Sequence, residues 1–500
     1  MILITPGAAP LLGRYRTGII GLAVRTSSTK TRRGVPPAPT TWGWWRTAYG
    51  LLAAPLLRGA ARLAALAHPE VRRGLWARRG WLARLSAGLA AGAARKRVRL
   101  LFHCASLGEF EQCRPLLEEL RRRHGERLYL LTSFFSRTPL EHGRWRGLAD
   151  QGFLAPLDGR GAARRLLETV RPDLLCFVKF DVWPLILWGA AAAGVPTALV
   201  SAAAHGASAT ANPLLRGFYR SVYGALDYVG AVSPADAAWL ENLRPGVEIA
   251  GDTKFDAVLS RRAAVTEEPL RFADDGPTLV CGSTHPADEA LLIPVLAEVR
   301  RRVPGLRLIL APHHVDDAHL EDIEARCAAA GLPSAERLST IPDRRPRGRF
   351  VLVDTVGELF ELYSLADAAY VGGGFHDKGL HNVLEPAVFS AALLYGPRIS
   401  NSIEARELAD EGRARRVEDG GELATALSEL LSDPAAARGL GAAAADYCRA
   451  RAGAAQHYAE RLEGLLRLPA RLQLGLEISP PPVRNVETER ATAGVPTTEP

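Results

Sequence analysis

The sequence predicts an α/β protein built from two doubly wound, Rossmann-like domains that face a central cleft. Short apolar runs alternate with helical patterns along most of the chain, which is typical of parallel strands buried on both faces of a sheet. A polar break at residues 260–277 interrupts this alternation, which then resumes. The chain also has enough apolar material for two cores of ordinary size, since 47% of its 500 residues are hydrophobic.

Five apolar runs lie on each side of the polar break, and each is expected to form a parallel strand. Those of the first domain are RLLFH (99–103), LYLLTS (128–133), DLLCFV (173–178), PTALVS (196–201) and YVGAVS (228–233). Those of the second domain are TLVCGS (278–283), LRLILAP (306–312), RFVLVD (349–354), DAAYVGG (367–373) and ALLYG (392–396). Ligands bind beyond the carboxyl ends of such strands, so the loops that follow these runs are expected to hold the site.

Composition divides the chain into six segments. Residues 1–41 are polar and Pro-rich and are expected to be disordered, as is the tail at 471–500. The segments between them are a basic aromatic region for membrane association (42–95), the first domain (96–260), a linker (261–277), and the second domain with its closing helices (278–470).

The positive charge of the chain is concentrated at its amino-terminal end. Residues 1–100 contain 18 Lys or Arg and one acid, Glu70, which gives +17; the whole chain carries +8, so the remainder carries −9. This distribution argues against nucleic-acid binding across the whole protein and favours one attachment region for anionic lipid or for a partner. The six cysteines form no CxxC pair, which argues against a zinc site or a disulfide framework and fits a reducing cytoplasm.

The amino-terminal region also holds five of the nine tryptophans: Trp42, Trp44, Trp45, Trp76 and Trp81. Indole rings and guanidinium groups together favour a membrane surface. We expect a helix from about Trp44 to Leu66 that lies in the interface or enters one leaflet, because its uncharged run at 47–57 has 11 residues whereas a spanning helix needs about 20. The alternative is an Arg-rich helix packed on the protein itself.

The loops after the first domain's strands carry candidate catalytic carboxylates. Glu109 opens a helix behind a small-residue turn, where it either accepts a proton or only complements the helix dipole. Asp181 is either a site residue or the cap of a helix that begins near Trp183. Four further residues of these loops are candidate substrate contacts: Ser106, Gly108, Ser136 and Lys179.

Two strand ends of the second domain carry groups suited to a phosphate. Ser283 and Thr284 precede a helix whose first backbone N–H groups can hold an anion, although the chain has no Walker loop. His313 and His314 follow another strand. Adjacent histidines point in different directions, so no metal pair is expected from these two.

The segment YVGGGFHDKGLHNVLEP (370–386) is the richest in candidate residues. Its three glycines allow the backbone to approach a ligand closely, and a helix is expected to begin near Asn382. Asn382 and Glu385 lie within one turn, where they either contact a nucleotide or form a capping pair. A glycine-rich loop before a helix in the second of two doubly wound domains favours recognition of a nucleotide phosphate.

Six motifs in the same order make the chain resemble the 3-deoxy-D-manno-octulosonic acid (Kdo) transferase family. They are HxxSxGE at 103–109, WP at 183–184, GDTKFD at 251–256, GSTH at 282–285, DTVGEL at 354–359 and HNVLEP at 381–386. The resemblance runs from about Trp44 to Leu468. It implies the GT-B fold and a role in Gram-negative lipopolysaccharide synthesis.

The resemblance also implies roles for individual residues. Glu109 corresponds to the family's catalytic base, and Asp181 to a second cleft carboxylate that is Glu in many members, while Lys179 stands where some members have another acid. The implied acceptor contacts are Ser106, Gly108, Ser136 and Lys179. The implied donor contacts are Ser283, Thr284, His285, Pro312, His313, Gly372, Gly373, Gly374, Asn382 and Glu385. Glu385 is the candidate for the ribose hydroxyls, and the family shows Pro-Arg-His where this chain has Pro312, His313 and His314.

The implied reaction is an inverting transfer of Kdo from CMP-Kdo to a phosphorylated, tetraacylated lipid A precursor at the cytoplasmic face of the inner membrane. Glu109 would deprotonate the acceptor hydroxyl, and backbone N–H groups near Ser283 and Gly373 would stabilise the departing phosphate without a metal or other cofactor. Two alternatives remain. One is a sugar-nucleotide epimerase of the same fold, which has no use for a basic aromatic leader. The other is a non-catalytic lipid-binding scaffold, which would tolerate loss of Glu109.

Overall fold

Two seven-stranded parallel sheets form the framework of the structure, a computed structural model that describes residues 41–90, 97–204, 212–377 and 379–467. The prediction of two doubly wound α/β domains is therefore confirmed. The disorder expected for the two ends of the chain concerns segments that, apart from Thr41, lie outside the described residues.

The first sheet has the strand order β3-β2-β1-β4-β5-β6-β7. Its strands are β1 (Val98–Cys104), β2 (Leu128–Phe134), β3 (Gln151–Leu154), β4 (Leu174–Val178), β5 (Thr197–Ala202), β6 (Tyr228–Ala231) and β7 (Glu248–Ile249). β1 lies between β2 and β4, with Leu101 paired to Leu131 and to Leu175. The central strands are buried on both faces, which explains their continuous apolar runs.

The second sheet has the order β10-β11-β9-β8-β12-β13-β14, which differs from the first in that β11 lies between β9 and the edge strand β10. Its strands are β8 (Thr278–Thr284), β9 (Arg307–Pro312), β10 (Glu336–Arg337), β11 (Phe350–Leu352), β12 (Ala368–Val371), β13 (Ala392–Tyr395) and β14 (Arg415–Arg416). In each sheet the strand order reverses at one point, between β1 and β4 and between β8 and β12. A crevice opens at such a point, because the crossovers on its two sides lie on opposite faces of the sheet.

Helices cover both faces of the two sheets. The amino-terminal helices are Thr41–Ala48, Ala54–Ala67, Pro69–Ala77 and Trp81–Leu89, the first two joined by a π-helical turn at Tyr49–Ala53. The next are Leu107–His124, Thr138–Glu141, Arg160–Val170, Pro184–Ala192, Pro213–Tyr223, Pro234–Glu241 and Thr253–Ala264. The last are Pro286–Arg302, Asp317–Ala329, Leu359–Leu362, Leu384–Ala387, Ile403–Asp410, Gly420–Ser432, Pro434–Ala450 and Ala454–Leu466.

The amino-terminal region contains one long helix, Gly43–Ala67, of 25 residues. By length and composition this helix is able to cross a membrane. The short uncharged run at 47–57 had instead predicted a helix that lies in the interface or enters one leaflet. One side packs on the first domain, where Tyr49 stacks on Phe218 at 5.4 Å. The other side exposes large apolar side chains: Trp44, Leu51, Leu52, Leu56, Leu63 and Leu66. The helix therefore packs on the first domain with one side and exposes an apolar face with the other.

Two helices connect the domains in a way that the sequence boundaries did not anticipate. Thr253–Ala264 runs through the boundary expected at 260, and its Arg261 pairs with Glu385 of the second domain at 3.1 Å. Ala454–Leu466, expected to close the second domain, packs on the first, where the hydroxyl of Tyr458 accepts the N–H of Ser201 at 2.9 Å. Chain order alone does not reveal which sheet a closing helix covers.

Candidate active site

The loops after β1 and β4 flank the reversal point of the first sheet and bring together the residues predicted there. The helix Leu107–His124 begins directly after β1, and its N-cap is Ser106, whose Oγ accepts the N–H of Glu109 at 3.3 Å. Glu109 thus occupies the third position of the helix and points back to the turn. Ser106 and Gly108 lie on the exposed side of the same turn.

Glu109 is buried, with 6% of its surface exposed, although it lies at the mouth of a helix. Its Oε2 accepts the N–H of Ala105 at 2.5 Å, so the carboxylate does help to cap the helix. Burial raises the pKa of Glu109 to about 7, and the negative charge of Asp181 adds to the rise while Lys179 opposes it. An exposed capping carboxylate is stabilised in its charged form, whereas this one is poised near neutral pH, where a general base works best.

Asp181 does not cap the following helix. That helix, Pro184–Ala192, has Trp183 at its N-cap and no side-chain capping bond. The Oδ2 of Asp181 instead accepts the indole N–H of Trp183 at 3.3 Å and lies 3.8 Å from Nε2 of the buried His103. Burial opposes ionisation of Asp181, but the contacts with His103 prevail and hold its pKa below the ordinary value.

Lys179 and Ser136 complete this side of the cleft. Lys179 adopts a left-handed backbone conformation, with φ 69°, directly after β4. Non-glycine residues adopt this conformation at an energetic cost, and such strain is concentrated at functional sites. The backbone N–H of Ser136 donates to the carbonyl of Ala105 at 2.8 Å, which ties the loop after β2 to the turn that carries Glu109.

A groove beside these residues lies between the amino-terminal helix and the strand ends of the first sheet. It is lined by Tyr49, Ala54, Leu57, Arg58, Ala61, Phe135, Leu157, Asp158, Val182, Trp183 and Pro184. Most of these side chains are apolar, and Arg58 and Asp158 supply the charges. Burial raises the pKa of Asp158 to about 6. Since Trp183 also contacts Asp181, the groove leads from the exposed helix toward the carboxylates.

In the second domain, Asp288 organises the loops on which the phosphate site was predicted. Its Oδ2 accepts the N–H of His285 at 3.0 Å and that of Gly373 at 2.8 Å. The N–H of Gly373, expected to face a phosphate, is therefore already paired. Thr284 is also internal, because its side chain is fully buried and its hydroxyl donates to Glu289 at 3.0 Å. Ser283 remains partly exposed at the end of β8, with φ 55°.

Asn382 and Glu385 lie at the short helix Leu384–Ala387, close to where a helix was expected. The Oδ1 of Asn382 accepts the N–H of Leu384 at 3.1 Å, a local contact at the start of the helix, whereas the N-cap residue is Val383 and has no side-chain capping bond. The carboxylate of Glu385 pairs with Arg261, and burial raises its pKa. Its side chain remains 23% exposed, so it is accessible to a ligand from the cleft.

The sequence did not reveal that several histidines converge in the second domain. His285, His313 and His381 follow three different strands, and their ligand atoms all lie within 4.8 Å of one another. His376 stacks on His285 with ring centroids 4.4 Å apart. His285 and His381 are 96 residues apart in sequence, so no local spacing pattern indicates this contact.

Gly372 shows how tightly the glycine loop packs. A Cβ atom at this position would lie 2.2 Å from the carbonyl oxygen of Ser283, a backbone atom that cannot move without shifting the end of β8. We expect Gly372→Ala to lower the free energy of unfolding by about 1–3 kcal/mol in chemical denaturation. The control is Gly439→Ala, within Pro434–Ala450, where a Cβ meets nothing within 4 Å. That variant should be neutral or more stable by up to about 1 kcal/mol, and equal stabilities would contradict the close packing.

Residues 74–257 match the family described as 3-deoxy-D-manno-octulosonic-acid transferase (kdotransferase). The 3-deoxy-D-manno-octulosonic acid transferase of Bordetella pertussis is 30% identical over 373 residues, which cover 73% of this chain and 86% of that protein. The enzyme of the same name from Aquifex aeolicus is 30% identical over 336 residues, 67% of this chain and 86% of its own.

A solved structure supports the fold. The UDP-GlcNAc 2-epimerase from Neisseria meningitidis bound to UDP-GlcNAc covers 74% of this chain and 100% of its own, with a TM-score of 0.51 and 12% sequence identity. At that identity the likeness concerns architecture alone. The two facing Rossmann-like domains form a GT-B fold, as the resemblance of the motifs implied.

Proposed function

Because the chain belongs to the 3-deoxy-D-manno-octulosonic acid transferase family, we propose that it transfers Kdo from CMP-Kdo to a hydroxyl of a lipid A precursor, with inversion at the anomeric carbon. The observation that carries this proposal is Glu109, a buried carboxyl group at the end of β1 whose pKa is about 7. The proposed acceptor is the phosphorylated, tetraacylated disaccharide, lipid IVA.

In the proposed step, Glu109 takes the proton of the acceptor hydroxyl while the oxygen of that hydroxyl attacks the anomeric carbon of Kdo. The bond from that carbon to the CMP phosphate oxygen breaks on the opposite face, and CMP leaves with the electron pair. The anomeric carbon passes through an oxocarbenium-like state, as in other glycosyl transfers. Asp181, which stays ionised, and Lys179 flank the base and orient the acceptor in this scheme.

An acylated acceptor agrees with the surroundings of the first domain's carboxylates. The exposed face of Gly43–Ala67 is apolar, and the groove beneath it is lined mainly by apolar side chains up to Trp183. An amphiphile with its chains in or beside this groove can present a sugar hydroxyl to Glu109. Arg58, at the same groove, suits a phosphate of the acceptor. We therefore place the protein at the cytoplasmic face of the inner membrane, with anionic lipid as its surface partner.

The donor is assigned to the second domain, on the strand ends that face the first. The paired N–H of Gly373 leaves Ser283, the histidines and the N-terminus of Pro286–Arg302 to meet the departing phosphate. Pro312, Gly372 and Gly374 are buried and shape the site through their backbone rather than through ligand contacts. Glu385 is the proposed partner of the ribose hydroxyls.

Incubation of the full chain with CMP-Kdo and lipid IVA, followed by mass spectrometry of the lipid, tests the proposed function. The expected product exceeds the acceptor in mass by the Kdo that has been added. One CMP is released for each Kdo transferred. Incubation with UDP-GlcNAc alone tests the epimerase alternative, and formation of an epimer there without Kdo transfer would replace the proposal. Absence of both products would favour the lipid-binding scaffold.

Nucleotide binding can be tested separately with Asn382 and Glu385. We expect Asn382→Ala and Glu385→Ala each to weaken CMP binding by about 10-fold or more in calorimetry, the scale of a lost hydrogen bond to a charged group. Asp433→Ala is the matched control, because Asp433 caps Pro434–Ala450 and its loss lowers stability without touching the cleft. If all three variants lost stability and kept normal CMP affinity, capping would be the whole role of the Asn382 motif.

A further inference from the structure

The histidines of the second domain come from three strand ends. His285 follows β8, His313 follows β9, and His381 lies in the loop after β12. The ring centroids of His285 and His313 are 4.7 Å apart, those of His313 and His381 4.6 Å, and those of His285 and His381 5.1 Å. Each ring therefore contacts both of the others, and the three form a closed triangle.

The distances between the ligand nitrogens of the cluster can be compared with those around a bound metal ion. A tetrahedral zinc ion with Zn–N bonds of about 2.0–2.1 Å holds its nitrogens about 3.3 Å apart. In the cluster, Nε2 of His285 lies 2.9 Å from Nε2 of His381, and no pair of ligand atoms is more than 4.8 Å apart. The distance that a single zinc ion requires therefore falls within the range found in the cluster.

An acidic group beside the three rings also suits a cation. The carboxylate of Asp288 accepts the backbone N–H groups of His285 and Gly373, so an acidic side chain is held beside the cluster.

From this geometry we propose that His285, His313 and His381 bind one divalent first-row transition-metal ion, with Zn²⁺ the best match. Imidazole nitrogens are preferred ligands of zinc, and three of them leave a fourth position for water or an anionic oxygen. That position lies on the exposed side of the cluster, since His313 is exposed while His285 is buried. The proposed transfer reaction requires no metal. It uses the same histidines at the departing phosphate, but metal binding can be measured without donor or acceptor.

The test uses the full chain in detergent, free of any affinity tag and stripped of metal by a chelator. Co²⁺ is added first, because a tetrahedral site with nitrogen ligands produces visible absorption, and Zn²⁺ is then titrated by calorimetry. We expect one Co²⁺ ion per chain, displaced by Zn²⁺. Since loss of an outer-shell partner already weakens metal binding by about 10–100-fold, loss of a direct ligand in His313→Ala should weaken Zn²⁺ binding at least 10-fold.

His314→Ala is the matched control, because its ring lies 4.8 Å from that of His313 but outside the triangle. Both side chains are exposed, so neither substitution endangers the fold. Zn²⁺ affinity should stay normal in the control. The proposal is overturned if the wild-type chain binds no stoichiometric ion, if His313→Ala binds Zn²⁺ like the wild type, or if both variants lose affinity equally. No donor or acceptor is present in this experiment, so its result stands whether or not Kdo transfer is observed.

Discussion

Replacement of Glu109 by Gln is expected to lower Kdo transfer by about 100-fold or more, the usual scale for the loss of a general base. Gln is nearly the same size, and its carbonyl oxygen can still accept the N–H of Ala105, so the helix cap is retained. It cannot take a proton. The substitution therefore separates catalysis from capping, and the fold and the affinity for CMP should be unchanged.

The matched control is Glu111→Gln, two residues along the same helix. Glu111 pairs with Arg114 at 2.8 Å on the helix surface, and its neutralisation should leave turnover near normal. The wild type should also lose activity as the pH falls through about 7, because Glu109 must be ionised to act and its pKa is about 7. Near-normal transfer by Glu109→Gln would assign the base to another group, and Asp181 would be tested next.

The sequence predicted the interior of both sheets but not their edges. All ten apolar runs are strands, because a strand buried on both faces must be apolar throughout. The four strands that were missed are β3, β7, β10 and β14, and they are the four edges of the two sheets. An edge strand has a neighbour on one side only and does not need a continuous apolar run, so Glu336–Arg337 and Arg415–Arg416 give no signal.

Candidate site residues could be proposed from the sequence where one loop holds them, but not where distant loops meet. Glu109 and Asp181 could be proposed from the sequence because each lies in the loop or first helical turn after a strand. The pairing of Glu385 with Arg261 could not be predicted, because the two residues are 124 positions apart in the sequence. The same holds for the N–H of Gly373, whose carboxylate partner, Asp288, lies on another loop. Local spacing carries no information on such contacts.

The amino-terminal arginines also fall into two groups, those that hold the protein's own loops and those that are exposed, and composition does not distinguish them. Arg78 donates to the backbone carbonyls of Ala155, at 3.0 Å, and of Phe135, and burial lowers its pKa to about 10. It therefore holds strand-end loops and is not available to lipid. The exposed arginines among the described residues of this region are Arg46, Arg62, Arg72, Arg73, Arg79 and Arg84.

The second large effect is expected on membrane binding, when Leu52, Leu56 and Leu63 of the long helix are all replaced by Gln. These side chains are 63%, 73% and 69% exposed in the structure. If each contributes about 1.5 kcal/mol by insertion into lipid, the triple variant should partition about 1,000-fold more weakly. Substitution is preferable to truncation, because Leu85 and Leu89 of the same region are buried in the first domain's core.

Flotation with anionic vesicles at low and high salt measures this effect. Exposed arginines contribute about 1 kcal/mol each near an anionic surface, and salt screens that contribution but not the burial of leucine. The wild type should float at low salt and be only partly released at high salt, whereas the triple variant should be released completely.

The control replaces Ile249, Val356 and Ile403 by Gln, because these exposed apolar residues lie far along the chain from the helix. It removes a similar amount of exposed apolar surface and should float like the wild type. If the wild type stayed in solution at low salt, or if both triple variants lost flotation equally, the apolar face of Gly43–Ala67 would not be a membrane anchor. It would then have to be covered by a protein partner, and the groove that leads to Glu109 would have to admit its acceptor from solution.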